Sequence, residues 1–365
     1  MKERIGYYDI ARGLGIIFVV IGHISTFYGP FRSFVITFHM ALFFMISGML
    51  IFETGEEERS LAEIIKKKIY RIMVPYILFS VLSIIIEFIR LALQDIYFWP
   101  HFKVLFVTAG SFYGNSVMWF LPALFISEIL FLIIRRIKKD IVTVLSVLVL
   151  AALAVWANTL SLGGSEFLQM FIAAFIRGVY CTIFICIGYY VRKYVMTLKL
   201  QNFVYGCWAI LLLRLSFVMD KFNPKVDLRA MYWGERFFPT TSQAALVSYQ
   251  VTLYLIGALS GALGIIFLCK CLESFSSRRV FRLLIFFGSN SLIIMATHLD
   301  WHVLHYGIDL AAILNEIYPS SMLYHIYVLV FVFVVETVLI LLIDKYLPIL
   351  SGKVKNNFFH KSFII

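Results

Sequence analysis

The chain has 365 residues, of which 61% are hydrophobic and only 15% charged, with a mean hydropathy of +0.90. Soluble domains are closer to half apolar and a quarter charged, so the composition excludes a soluble globular protein and predicts a polytopic membrane protein. A formal charge of +11 would suggest nucleic acid in a soluble chain. Here the basic residues cluster in short loops between apolar runs, where they record topology and contact with membrane lipids, and no nucleic-acid partner is expected.

Apolar runs long enough to cross a bilayer occur at about 10–28, 33–52, 74–94, 116–135, 141–157, 166–190, 201–219, 246–269, 282–304 and 323–344, which predicts an all-α transmembrane bundle of about ten helices. The first run is not a cleaved signal peptide, since it carries Arg12 and His23, lacks a small-residue cleavage pattern and is followed by many further spans. With the N-terminus inside, 23 of the 32 Lys and Arg fall in cytoplasmic segments, seven in outer segments, and Arg177 and Arg214 within spans. This bias puts both termini in the cytoplasm.

Neither an internal repeat nor a low-complexity linker is apparent, so residues 1–350 read as one transmembrane domain and 351–365 as a short basic cytoplasmic tail. Segment 53–71 is acidic and then basic, which predicts an interfacial cytoplasmic helix at its start. The longest outer stretch, 220–245, mixes charges with Tyr232, Trp233, Phe237 and Phe238, and either caps the bundle or binds a ligand. Five cysteines, Cys181, Cys186, Cys207, Cys269 and Cys271, lie within or at the ends of apolar runs with no CxxC pair. Neither a disulfide framework nor a metal site is expected.

Arg12 and His23 stand eleven residues apart on the first predicted helix. Eleven steps of about 100° make roughly three turns, so both lie on one face, about 16 Å apart along the axis. Asp9 shares that face. Ionisable groups inside a membrane-length segment are costly unless they have partners and a task. The second predicted helix carries His39, Phe43 and Ser47 on one face at i, i+4 and i+8. Counted from the outer ends of their spans, His23, His39 and His298 lie at about the same depth, five to six residues in. Each histidine either faces a shared cavity or hydrogen-bonds a neighbouring helix. The same two readings stand for Ser47 and Asn290. Glu128, Arg177 and Arg214 are further ionisable residues within spans. The basic run 66–71 is by itself a stop-transfer cluster, and Trp119 an interfacial aromatic.

Five segments in order resemble the acyltransferase-3 family of integral membrane O-acyltransferases. DIARGLGIIFVVIGHI at 9–24 is similar to its opening signature of Arg, ten residues and His, and FHMALFFMISGML at 38–50 to its second-helix motif FxMPLFFxISGxL. KKIYRIMVPY at 67–76 resembles its basic cytoplasmic motif, and WFLPALF at 119–125 and GSNSLIIMATH at 288–298 two further blocks. The closest flavour is the fucose-4-O-acetylase-like branch. Ala41 stands where the family has Pro, which relaxes a kink, and the absence of a following esterase-like domain implies direct transfer to the final acceptor.

The resemblance implies a multi-pass O-acyltransferase, with O-acetyl transfer the nearest reading, in the plasma or inner membrane. Its donor would be cytoplasmic acyl-CoA, acetyl-CoA above all, and its acceptor a hydroxyl of an extracytoplasmic glycan or lipid-linked saccharide. His23, with Arg12 and Asp9, would be the catalytic group; Lys68, Arg71, Ser47 and Asn290 would bind the donor; His39, Trp119 and His298 would shape the pocket; no metal is implied. The span of about 16 Å from Arg12 to His23 is comparable with the length of a pantetheine arm. Imidazole titrates near neutrality and suits a general base, and an acyl-histidine intermediate is a second route. The alternative is a polytopic transporter or glycan-export component without acyl transfer, and a third reading is a non-catalytic sensor or scaffold on the same fold.

Overall fold

A computed structural model describes residues 6–27, 29–158, 160, 163–198, 200–222, 228, 243–275, 278–317 and 319–352. Most of the outer stretch 220–245 and of the tail 351–365 lies outside the described residues. Among the described residues the architecture is all-helical, with no strand. The helices are α1 (Gly6–His23), α2 (Gly29–Thr54), α3 (Leu61–Lys68), α4 (Val74–Leu93), α5 (Trp99–Gly110), α6 (Phe120–Arg135) and α7 (Asp140–Asn158). They continue with α8 (Glu166–Tyr190), α9 (Asn202–Phe222), α10 (Gln243–Cys271), α11 (Arg279–Ser289), α12 (Ser291–Thr297), α13 (Val303–Ile317) and α14 (Ser321–Tyr346).

Every predicted apolar run meets a helix, but among the described residues seven helices are long and apolar enough to cross a membrane, or eight if the bent pair α11–α12 is one span. The other two runs fall short for visible reasons. α1 carries Asp9, Arg12 and His23 among its 18 residues, and α6 has only 16 residues. The predicted span 282–304 is broken at Asn290, where Ser289 Oγ (3.0 Å) and Asn290 Nδ2 (2.9 Å) both donate to Phe286 O and compete with the helix ladder. Two further helices lie between predicted spans: α5 between 74–94 and 116–135, and α13, which starts within the last two residues of 282–304, ahead of 323–344.

The acidic–basic segment does not stop at the interface. Ser60 caps α3 by accepting from Glu63 N at 3.3 Å, and α3 runs through a π-helical turn, Ile69–Met73, straight into α4. Pro75 explains the turn: it has no N–H for the Arg71 carbonyl, so the ladder widens and Val74 N–H reaches Ile69 O instead. α2 runs unbroken through Ala41 from Gly29 to Thr54.

The chain forms two compact units. The first comprises Met1–Glu57, Leu130–Leu162 and Phe175–Ser291. In it α1 packs on α2, α10 and α11, and α10 packs on α2 and α9. Two crossings are so close that backbone meets backbone. A Cβ on Gly13 would collide with Leu284 O, and one on Gly288 with Asp9 O, across α1 and α11. Reciprocally, Cβ atoms on Gly48 and Gly188 would collide with Ile185 O and Met45 O, across α2 and α8. In lipid, where apolar surface gives little drive to association, such small-residue contacts let helices pack tightly. Rings fill the space beside them: Phe38 meets Phe18 edge-on at 5.7 Å and Phe34 at 5.0 Å, and Phe34 meets Phe217 at 5.7 Å.

The second unit comprises Glu58–Ile129, Gly163–Ala174 and Leu292–Ile365. Here α4 packs on α5, and α13 on α14 through a tight turn in which Asn315 Oδ1 accepts from Ser320 N at 2.9 Å.

The glycine crossings make a direct prediction. Gly48→Ala forces two backbones apart and should cost about 1–3 kcal/mol, seen as a lower thermal midpoint of the detergent-solubilised protein. Gly29→Ala, whose Cβ would meet nothing within 4 Å, should leave the midpoint unchanged; equal midpoints for both variants would refute the close crossing.

Candidate active site

The first unit holds Asp9, Arg12, His23, His39, Ser47 and Asn290. Asp9 is buried on the first turns of α1, and Arg12 Nη1 lies 3.5 Å from its Oδ1. His23 is the last residue of α1, not five residues inside a longer span as the sequence predicts. The helix stops there because the chain turns through Ile24–Phe27, with Phe27 N donating to Ile24 O, and Arg32 Nε caps the Gly22 carbonyl at 2.8 Å.

α2 then returns alongside, and a Cβ on Gly22 would sit 3.9 Å from His39 Cε1. The hairpin therefore does bring His39 level with the end of α1 that carries His23. Ser47 is half-buried one residue before the Gly48 crossing. Asn290 is buried at the break after α11, two residues beyond Gly288, the glycine that meets Asp9 O on α1.

One local design recurs at three histidines. His23 Nδ1 lies 2.7 Å from Val19 O, His39 Nδ1 2.8 Å from Val35 O, and His298 Nδ1 2.7 Å from Ile294 O. A carbonyl only accepts, so each Nδ1 carries the hydrogen and, in the neutral ring, Nε2 is the basic nitrogen. Each helix thus fixes its own tautomer through the preceding turn. In the neutral ring this leaves Nε2 as the accepting nitrogen, the one a general base needs, though at buried His39 and His298 burial opposes the charged form.

The second unit holds Lys68, Arg71, Trp119 and His298. Lys68 is buried and its Nζ lies 2.9 Å from Glu128 Oε2, which gives Glu128, an isolated charge in the sequence, its partner. Arg71 is exposed, in the π-helical turn. Trp119 is buried at the start of α6, edge-on to Phe120, and Gly114, at φ +84°, folds back so closely that a Cβ would strike Trp119 N. His298 is fully buried just past α12, not six residues inside a continuous span, because that span breaks at Asn290 and ends at Thr297. Next to it, Thr297 Oγ1 donates at 2.7 Å to Glu336 Oε2 on α14, a fully buried carboxyl.

Sequence reading missed a cleft of about 470 Å³ in this unit, bordered by Ser83, Glu87, Asn115, Asp300, His302 and His305. Glu87 is held on two sides: Arg90 Nη2 donates to Oε1 (2.6 Å) and Arg90 Nε to Oε2 (2.8 Å), while His302 Nε2 reaches Oε2 at 2.9 Å. The i, i+3 spacing of Glu87 and Arg90 was the available sequence signal; nothing in sequence tied His302 to them. Trp119 and His298 do not border this cleft, but Asn115 and Ser116 before one, and Leu299 and Asp300 after the other, do. Lys68 and Glu87 are nineteen residues apart on the continuous α3–α4 run, roughly 28 Å by helical rise, close to a bilayer's hydrocarbon thickness.

Helices of membrane-spanning length with buried ionisable residues define a multi-pass membrane protein with a functional interior. The family model described as an acyltransferase domain matches residues 5–344. No curated protein and no solved structure matches the chain. The chain belongs to the acyltransferase-3 family, and it is a membrane acyltransferase.

The Lys68–Glu128 pair is testable apart from activity. Glu128→Ala removes the carboxylate paired with buried Lys68 and should cost about 3–5 kcal/mol, read as a fall in thermal midpoint. Adding Lys68→Met should recover most of the loss; a double variant as unstable as the single one would show that the pair does not govern Lys68.

Proposed function

We propose that the protein transfers an acyl group, nearest to acetyl, from cytoplasmic acyl-CoA to a hydroxyl of an extracytoplasmic glycan or lipid-linked saccharide. The observation that carries this reading is the helix α1, with Asp9 and Arg12 near one end and His23, its Nε2 basic, at the other. Ten crossings of the plasma or inner membrane, with both termini in the cytoplasm, fit the distribution of Lys and Arg along the chain. In that topology Arg12, Arg71 and Lys68 belong to the donor end and His23 to the outer end.

Exposed Arg71 would take donor phosphates by charge-assisted hydrogen bonds. Lys68, neutralised by Glu128, contributes position more than net charge. In the first unit Ser47 and Asn290 would hydrogen-bond the pantetheine arm and His39 would shape the pocket; in the second, Trp119 and His298 would each supply a pocket wall. At the transfer site His23 Nε2 takes the proton of the acceptor hydroxyl as its oxygen bonds to the thioester carbon. The carbon–sulfur bond breaks, and the imidazolium returns the proton to the departing thiolate. The products are an ester and free CoA thiol, with no net proton change.

The break between α11 and α12 also suits a transport path, since interrupted helices line many of them. Acyl-CoA dependence separates the two readings. With acetyl-CoA and surface glycan supplied, His23→Ala should lower glycan O-acylation by about 10² or more while acetyl-CoA binding stays within a few-fold. Undiminished acylation by His23→Ala would overturn the catalytic role. A wild-type protein that neither binds nor turns over acetyl-CoA would favour transport.

A further inference from the structure

The cleft at the far end of α4 has a chemistry of its own. Ser83 and Asn115 are each about 6% exposed and border it, and Ser83 Oγ and Asn115 Nδ2 have no hydrogen-bond partner among the described residues. Buried polar groups left in that state cost free energy unless a ligand satisfies them. Asn115 is held in place, because Thr108 Oγ1 donates to its Oδ1 and leaves the amide N–H₂ as the open donor. Two bordering residues, Ser116 (φ 42°) and His302 (φ 59°), adopt the left-handed backbone that non-glycine residues avoid, a form of strain that gathers at ligand sites.

The surrounding groups narrow the ligand class. His302 Nε2 donates to Glu87, so in the neutral ring Nδ1 is the acceptor nitrogen. His305 titrates below the usual histidine range, through burial first and then the neighbouring His302, with Arg90 adding to the effect and Asp309 and Glu87 opposing it. Its neutral ring can both donate and accept at pH 7. An anion would face the carboxylates of Glu87 and Asp300. A lone cation gains little, since Arg90 already neutralises Glu87, and no group of three His, Cys, Asp or Glu that could hold a metal ion exists among the described residues. The remaining wall is His101 together with the apolar Pro100, Val104, Leu105 and Leu299.

We propose that this cleft binds the uncharged sugar ring of the acceptor, with Ser83 and Asn115 hydrogen-bonding its hydroxyls and the apolar wall covering its C–H face. This rests on the acyltransferase reading for the ring's fate, though not for its binding. Glu87 acts as a positioning residue, fixing His302 and its tautomer. The volume of about 470 Å³ lies within the range of small-molecule sites, and the opposed donor end of α3–α4 places the cleft on the outer side in the proposed topology.

The test uses the full-length protein, acetyl-CoA, and the surface saccharide of the producing cells stripped of O-acyl groups by mild alkali. Binding of that saccharide is read by titration, and acetyl transfer and saccharide-independent acetyl-CoA hydrolysis are read in parallel. Ser83→Ala and Asn115→Ala should each weaken saccharide binding about fivefold and raise its KM alike, with acetyl-CoA hydrolysis unchanged. Unaltered saccharide affinity in both variants, or no binding by wild type, overturns the proposal. Wild-type binding that the variants weaken, without any acetyl transfer, supports the cleft while refuting the acyltransferase scheme proposed above.

Discussion

The close backbone crossings of the first unit are the constraint on which the rest depends. Where α1 meets α11 at Gly13 and Gly288, and α2 meets α8 at Gly48 and Gly188, no side chain separates the helices. Three of these glycines sit inside the segments that resemble family motifs: Gly13 in the opening signature, Gly48 in ISGML and Gly288 in GSNS. The motifs are therefore as much about packing as about chemistry. A methyl group at Gly288 would push away Asp9 O, and with it the turn that carries Arg12. Chemistry and packing are written into the same few residues, so a substitution in a motif acts on both.

The polar interior follows a consistent rule of compensation. Lys68 is matched by Glu128, Glu87 by Arg90 and His302, and Glu336 by the Thr297 hydroxyl. In the first unit Asp220 Oδ1 accepts from Ser33 Oγ and Thr37 Oγ1, each at 2.8 Å. Isolated charge is too costly at membrane depth for such groups to persist without partners. Ser83 Oγ and Asn115 Nδ2 have no hydrogen-bond partner among the described residues, and both residues border the same cleft. The three histidines that share the Nδ1-to-carbonyl design differ from His302, whose Nε2 is the engaged nitrogen. Local backbone engages Nδ1 in three of these rings, and one carboxylate engages Nε2 in the fourth.

Much of this was legible from residue order. Apolar runs located the long helices, and the spacing of Arg12, His23 and His39 put the two histidines at one level of the first hairpin. Short elements were harder. α5 has 12 residues with Pro100 in its first turn, and α13 mixes Asp309, Asn315 and Glu316 into its face, so both read as loops beside stronger spans. The polar triplet Ser289–Asn290–Ser291 was in view, but its apolar flanks masked the helix break. Lys68 and Glu128 were both visible as costly charges; sixty residues apart, they are paired only by tertiary structure. The cleft was illegible for the same reason, since α4, α5, the turn before α6 and the start of α13 all contribute to it.

A path from an acyl donor on one side of the membrane to a hydroxyl on the other is the central claim. Its most direct test is the purified protein reconstituted in one orientation in sealed vesicles, with labelled acetyl-CoA confined to the face of the termini and de-O-acylated saccharide to the opposite face. The account predicts labelled ester on the saccharide with neither reactant crossing, and loss of that label in His23→Ala vesicles. Label that forms only when donor and saccharide share one face would contradict it.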